Sequence, residues 1–421
     1  MQLKKFLSGL DFGPSNEELV KLKSETAQIV EKLNQAVKKE RISCQIFVGG
    51  SFAKGTLIKQ KGYDVDVFVR FDWEYENLSD DLARIIKHFK GYKIKRMHGS
   101  RDYFSIESKG IVFEIIPVTK IGKPKEERNV TDLSYFHVNY VKSKIKGNKL
   151  VREIQLAKRF FHAQGVYGAE SYINGFSGYA VECLIIHYKS FEKMLKEFAK
   201  AKERLVLDPA KHFRKPEEAL FELNESKIHG PIVLVDPTWK ERNVLAALND
   251  GTFNKIKETA QEFLRKPSIK FFEKQVFDRE KMKTRAKVKK LEFLELVLKT
   301  DRQEGDIAGT KLKKFSNFLD SELNKYFKIS EREFEYDERQ EARIYLSVKS
   351  KGEIVRIGPP ENMEKHASAF RKANKSIFVK NGILHARIKV NLNAKSFLKD
   401  WIKTNREKTK QMGIIEITMS S

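Results

Sequence analysis

Apolar residues recur at helical spacing from Leu19 through Leu22, Ile29, Val30, Leu33 and Val37, behind a Ser15/Glu18 pair spaced as a capping box. A helix is predicted there. The pattern then becomes β-like at Ile46-Phe47-Val48 and stops at Gly49-Gly50-Ser51, with a short helix opening at Phe52. From Val65 to Phe71 acidic and apolar positions alternate before the chain turns wholly apolar, which predicts a strand. A helix is expected over 79–90 with Ser79 as its cap. Strands follow around Tyr103–Ile106 and at Ile111–Ile116, the latter ended by Pro117. This order makes an α/β unit with a mixed sheet.

Residues 150–200 are mainly helical. Val151, Ile154, Ala157, Phe160 and Phe161 form one stripe ending near Gly165, and Leu184, Ile185, Tyr188, Phe191, Leu195 and Phe198 form another after Gly178. Pro231 to Pro237 reads as a short buried strand. A helix is expected from near Asn243 past Phe263, with a break around Asp250-Gly251. Beyond Pro267 the pattern becomes strand (Leu291–Leu298), helix (310–326) and strands near Phe334 and at Ala342–Val348. Asn381-Gly382 marks a two-residue hairpin, because both turn positions favour positive φ. The expected partition is 1–148, an α/β head; 149–265, mainly helical; and 266–421, a C-terminal α/β part. The fold class is α+β, multidomain.

The chain has 421 residues and a formal net charge of +25. So much self-repulsion suits a polyanionic partner, and nucleic acid is the first candidate. No run approaches the roughly 18 apolar residues of a membrane-spanning helix. The opening MQLKKFLSGLDF is too short in its apolar part for a secretory signal. With only Cys44 and Cys183 there is no disulfide framework and no cysteine-rich zinc site. A soluble, cytoplasmic protein without membrane contact is expected.

The chemistry concentrates in one segment. Asp64 and Asp66 are two apart in a strand, so both carboxylates leave the same face. They repel each other and resist burial unless a divalent cation joins them, and hard oxygen ligands suit Mg²⁺ or Mn²⁺. Glu114, flanked by Phe113 and Ile115 on a neighbouring strand, is a third acid where acids are costly. The Gly49-Gly50-Ser51 turn offers backbone N–H groups and a hydroxyl to an anion such as a triphosphate. Three carboxylates, two metal ions and a triphosphate cradle are the parts of two-metal nucleotidyl transfer.

Gly49-Gly-Ser-Phe-Ala-Lys-Gly-Thr56, Asp64-Val-Asp66 and the later acid resemble the signature of polymerase β-like nucleotidyltransferases. Lys158 to Gly168, Gly175-Phe-Ser-Gly-Tyr179-Ala-Val-Glu-Cys, His187 to Glu192, Val235-Asp-Pro237, Arg242-Asn-Val244 and Gly358-Pro-Pro360 extend the resemblance to class I, archaeal-type CCA-adding enzymes. The resemblance implies a nucleotidyltransferase palm at 1–148 and a helical central domain completing the nucleotide pocket. A C-terminal part would bind the tRNA acceptor arm. It implies that CTP and ATP are used, without a template, to build and repair the 3′-terminal CCA of tRNA. Asp64, Asp66 and Glu114 would hold two Mg²⁺ ions, with Mn²⁺ as a possible substitute. Ser51, Lys54, Lys158 and Tyr167 would contact the triphosphate, Arg242 would read the base edges, and His98 would lie near the nucleotide. The third acid is usually Asp in this family; here it is Glu114. Lys281–Lys290, with Lys311, Lys313, Lys314 and Arg371, would supply the field for the RNA. The competing expectation is another template-independent enzyme of the superfamily, a poly(A) polymerase or an oligoadenylate synthetase.

Overall fold

A computed structural model describes residues 2–60, 62–274 and 276–419. The chain divides into two compact units, Met1–Gln275 and Val276–Ser421.

The first unit begins with α1 (Gln2–Ser8) and the long α2 (Asn16–Glu40). Both halves of the α2 capping box form: the Glu18 N–H donates to Ser15 Oγ (3.2 Å) and the Ser15 N–H to Glu18 Oε2 (2.7 Å). There follow β1 (Cys44–Val48), α3 (Gly50–Lys54), β2 (Tyr63–Phe71), α4 (Leu78–Ile86), β3 (Lys93–Met97), β4 (Tyr103–Ser108) and β5 (Ile111–Thr119). The sheet order is β1-β2-β5-β4-β3, with β2 and β5 parallel and the other pairs antiparallel. Period-two alternation sends Val65, Val67, Val69 and Phe71, with Ile111, Phe113 and Ile115, into a core shared with Leu22, Ile29 and Leu33 of α2 and Leu82 and Ile85 of α4. The intervening positions of β2 and β5 therefore occupy the opposite face.

The helical part comprises α5 (Ser134–Lys144), α6 (Asn148–Ala163), α7 (Gly178–Tyr188) and α8 (Phe191–Lys200). After these come β6 (Leu205–Leu207), the short α9 (Ala219–Glu222), β7 (Ile232–Asp236), β8 (Trp239–Asn243) and α10 (Asp250–Arg265). Phe160, Phe161, Phe176, Phe191, Phe198, Phe263 and Phe272 fill its separate core.

Several elements differ from the expected pattern. Pro117 does not end its strand: β5 pairs with β2 as far as Thr119, whereas its ladder with β4 stops at Ile115, so one flank is already without a neighbour at the proline. Ser79 does not cap α4, because its hydroxyl donates to the Asp102 carbonyl (3.1 Å). The stripe from Leu184 to Phe198 belongs to two helices. Lys189 adopts φ 64° and Ser190 caps α8 through the Lys193 N–H. Asn243 starts no helix; it ends β8, and its Oδ1 accepts from the Leu234 and Leu245 N–H groups. The helix begins at Asp250, capped by Asn249.

In the second unit, α11 (Arg279–Val288), β9 (Glu292–Lys299), α12 (Asp306–Leu323), β10 (Phe327–Tyr336) and β11 (Glu341–Ser350) precede β12 (Glu353–Pro360), α13 (Glu364–Ala373), β13 (Ile377–Lys380) and β14 (Ile383–Lys389). α14 (Ala394–Thr404), α15 (Arg406–Gln411) and β15 (Glu416–Met419) complete it. Four strands run in the order β10-β11-β9-β15, and three more in the order β12-β14-β13. Asn381 and Gly382 both take positive φ, 50° and 73°, at the tight turn between β13 and β14.

Candidate active site

The parallel register sets Asp66 opposite Glu114, with Asp64 two positions earlier on β2, so all three carboxylates occupy the sheet face away from the α2/α4 core. β1 runs antiparallel beside β2, pairing Val48 with Val67, and the chain then turns immediately. The Gly49 N–H donates to the Asp66 carbonyl (2.9 Å), tying the turn to the strand that carries the acids. Gly50 has φ +61°, and a Cβ built on it would stand 1.7 Å from Asp66 Oδ2. Only glycine fits. Ser51 and Lys54, three apart on α3, leave the same side of that helix.

Burial raises the Asp64 carboxyl above its ordinary range. Burial also raises Asp66; the charge of Lys54 partly offsets this and that of Asp64 adds to it. Glu114 is pushed up to about 8, first by burial and then by Asp66 and Asp64. Such a site disfavours negative charge until a cation answers it. Among the described residues no three acid, histidine or cysteine side chains are already closed around one point as a metal set. The donor chemistry nevertheless fits a hard divalent cation: carboxylate oxygens alone, mutually repelling, with no protein cation offsetting Asp64 or Glu114.

Glu114 holds its proton more tightly folded than unfolded, so between its ordinary value of 4.5 and about 8 the native state binds more protons. Stability in metal-free buffer is expected to fall as pH rises through that window and to level off on either side. Melting temperatures of the wild type and Glu114→Gln across the window test this; the substitution should flatten the slope.

Lys54 and Lys158, both expected at the triphosphate, converge on a carboxylate that sequence reasoning missed. Glu182 of α7 accepts from Lys54 Nζ (2.6 Å), Lys158 Nζ (2.8 Å) and Thr56 Oγ1 (2.5 Å). Lys158 also donates to the hydroxyl (3.0 Å) and carbonyl (3.2 Å) of Thr56. At 2% exposure its three N–H groups are spent inside the protein, so it faces the buried carboxylate and not an open cleft. Burial opposes the Glu182 charge, but Lys158 and Lys54 outweigh it and hold the carboxyl well below its usual range. Tyr167 stacks on His162 (ring centroids 3.9 Å apart), and its hydroxyl packs against Gly178 at the start of α7.

Arg242 of β8 donates from Nη1 to Asp236 Oδ2 (2.7 Å). The same buried carboxylate accepts from His137 Nε2 (3.0 Å), Tyr179 Oη (3.0 Å) and the backbone and hydroxyl of Thr238 (both 2.8 Å). Burial opposes the Asp236 charge and is outweighed by the His137 hydrogen bond and charge, then by Arg242 and Thr238. Since a carboxylate only accepts, Nε2 of His137 carries a proton. His137 stacks on Tyr179 at 3.9 Å. His98 lies elsewhere, in the hairpin after β3. It is 65% exposed, with Nδ1 3.0 Å from Asp102 Oδ2. The adjacent Arg101 reaches Thr119, five residues past Glu114 on β5, so this hairpin sits at the far end of the sheet. His137, unlike His98, is built into the interior. The signal that could have found Glu182 is the one that singled out Glu114: an acid inside an apolar run, Ala180-Val-Glu-Cys-Leu-Ile-Ile186.

The chain is also similar to known proteins. Residues 152–273 match the family model for the second domain of tRNA nucleotidyltransferase. Residues 1–134 match the Second Messenger Oligonucleotide or Dinucleotide Synthetase domain. The CCA-adding enzyme of Nanoarchaeum equitans is 33% identical over 348 residues, covering 82% of this chain and 83% of its own. That of Methanosarcina mazei is 30% identical over 373 residues, covering 85% and 78%. That of Thermoplasma volcanium is 30% identical over 263 residues, covering 62% and 56%. The solved structure of Cid1, an RNA terminal uridylyl transferase, matches 66% of this chain and 99% of its own, with a TM-score of 0.51 at 13% identity. That likeness concerns the fold alone. No helix among the described residues is long and apolar enough to cross a membrane.

Proposed function

The chain belongs to the CCA-adding enzymes, tRNA nucleotidyltransferases, and from that premise we propose how its residues carry out the addition. It acts on tRNA with nucleoside triphosphates; CTP and ATP are the two that a CCA end requires. The observation that carries the reading is the register of Asp66 with Glu114 beneath a glycine turn that touches Asp66.

Asp64, Asp66 and Glu114 would hold the divalent metal of this family, two Mg²⁺ ions in our reading. When bound, such ions lower the pKa of an attacking 3′-hydroxyl and neutralise charge on the triphosphate and the departing pyrophosphate. The extra methylene of Glu114, where the family usually has Asp, lengthens the reach of the third carboxylate. The protein's own part is to position. Ser51 and the Gly50 backbone present donors where the triphosphate would lie, and Lys54 supplies a cation beside them. The Tyr167 hydroxyl borders the same region, and Lys158 serves it indirectly through Glu182.

Arg242 offers a planar fork of five donors, one of them held by Asp236, which fixes the plane of the rest. A fork so oriented can distinguish C and A from U and G by their Watson–Crick edges. Exposed lysines of α11, among them Lys281, Lys283 and Lys287, with Lys311, Lys314 and Arg371 in the same unit, suit the phosphates of a tRNA acceptor arm. Arg285 and Lys289 are paired with Glu331.

The test is incorporation from labelled CTP and ATP into tRNA lacking its CCA, with Mg²⁺, followed by sequencing of the product ends. Addition of C, C and A and then arrest is expected. A long A tail, or ATP-only oligomers formed without tRNA, would overturn the reading.

A further inference from the structure

We propose that Glu182 is a positioning residue for the triphosphate: it holds the Lys54 ammonium beside the Gly49–Ser51 turn and ties that turn to the helical part of the unit. Glu182 is 0% exposed and sits between Val181 and Cys183, also 0% exposed, in an otherwise apolar stretch of α7. A carboxylate there is costly unless its oxygens are answered by charge and hydrogen bonds. They are answered by three groups, two of which, Lys54 and Thr56, flank Gly55 just after the turn, while Lys158 comes from α6. Gly55 takes φ +69°, which lets the residues on both sides of it reach the same carboxylate.

The donor count gives the cluster a purpose beyond packing. Two ammoniums meet the Glu182 carboxylate, and the charge of Lys54 also bears on Asp66. Lys158 has no donor to spare, because the Thr56 hydroxyl, the Thr56 carbonyl and Glu182 take all three. Lys54 meets the carboxylate through one hydrogen bond, and its Nζ lies 6.0 Å above the Tyr179 ring. The remaining donors therefore belong to Lys54, and their chemistry is that of a polyphosphate site. Lys158 is in this scheme the counter-charge that keeps Glu182 ionised, and Thr56 the hinge between them.

The inference rests on the reading that Lys54 meets the triphosphate, and the experiment separates the two. The full chain is assayed with tRNA lacking CCA, and KM and kcat are measured for CTP and for ATP. Glu182→Gln is expected to raise KM by about tenfold, the scale of one charge-assisted hydrogen bond, by the same factor for both nucleotides and with a smaller change in kcat. Glu182→Asp should recover part of the loss, tRNA affinity should stay unchanged, and Glu182→Gln/Lys54→Met should be no worse than Lys54→Met alone. If Glu182→Gln does not fold, Glu182→Gln/Lys158→Met, which removes one buried charge of each sign, carries the same KM test. An unchanged KM in a folded Glu182 variant while Lys54→Met raises it overturns the positioning role alone, as do additive losses or unequal factors for CTP and ATP. An unchanged KM in Lys54→Met overturns both statements.

Discussion

Asp64→Asn with Asp66→Asn is expected to lower nucleotide incorporation by about 10³-fold or more while leaving tRNA affinity close to that of the wild type. Asn preserves the shape of both side chains and removes two of the three charges that would hold the metal. The lysines of the second unit that we propose meet the RNA are untouched. The same change should do something a damaged core would not. Glu114 is raised first by burial and then by these two aspartates, so with them neutral its pKa should move down towards the ordinary range. The repulsion stored in the site is also relieved, so the metal-free double variant should melt at a higher temperature than the wild type. Incorporation kinetics, filter binding of tRNA and calorimetry in chelator read the three quantities. Wild-type turnover in the double variant would remove the carboxylates from the mechanism.

Gly50→Ala is the second large effect. Its methyl carbon would lie 1.7 Å from Asp66 Oδ2, so either the turn or the carboxylate must move. A displacement of about 1 Å in a reacting constellation can cost on the order of 100-fold, and that loss is expected in kcat. The control is Gly91→Ala. Gly91 has φ +83° but nothing within 4 Å of its Cβ position, so it suffers the backbone strain without the collision. About 1 kcal/mol of stability should be lost there, with activity retained. Equal losses of kcat in the two variants would mean that backbone strain, and not contact with Asp66, governs Gly50.

Much of the head could be read from the chain because its signals are local. A capping box, a glycine turn and two alternating strands each depend on neighbours in sequence, and all four form. β3 escaped because Lys93-Ile-Lys-Arg-Met97 is a basic edge strand, whose charges guard an open edge and conceal its alternation. The helix expected at Asn243 failed for a comparable reason: a buried Asn whose amide satisfies Leu234, Leu245 and Lys227 stabilises a turn that periodicity does not register. Within the site, the three acids were legible from strand spacing. The partners of Lys54 and His137 were not, because Glu182 lies 128 positions from Lys54 and Asp236 lies 99 from His137. The enclosure of His137 was equally hidden, since nothing in its local sequence tells that its imidazole meets Asp236.

The pairing of β2 with β5 has a temporal side. It is the parallel contact of this sheet, and it joins Asp66 to a residue made only after the crossover through α4, β3 and β4 is complete. A nascent chain emerging from the ribosome can fold α2, β1 and β2 early, yet Asp66 has no Glu114 opposite it until β5 has cleared the exit tunnel. The parallel pairing is thus the closing event of this sheet's assembly, since it waits for the whole crossover.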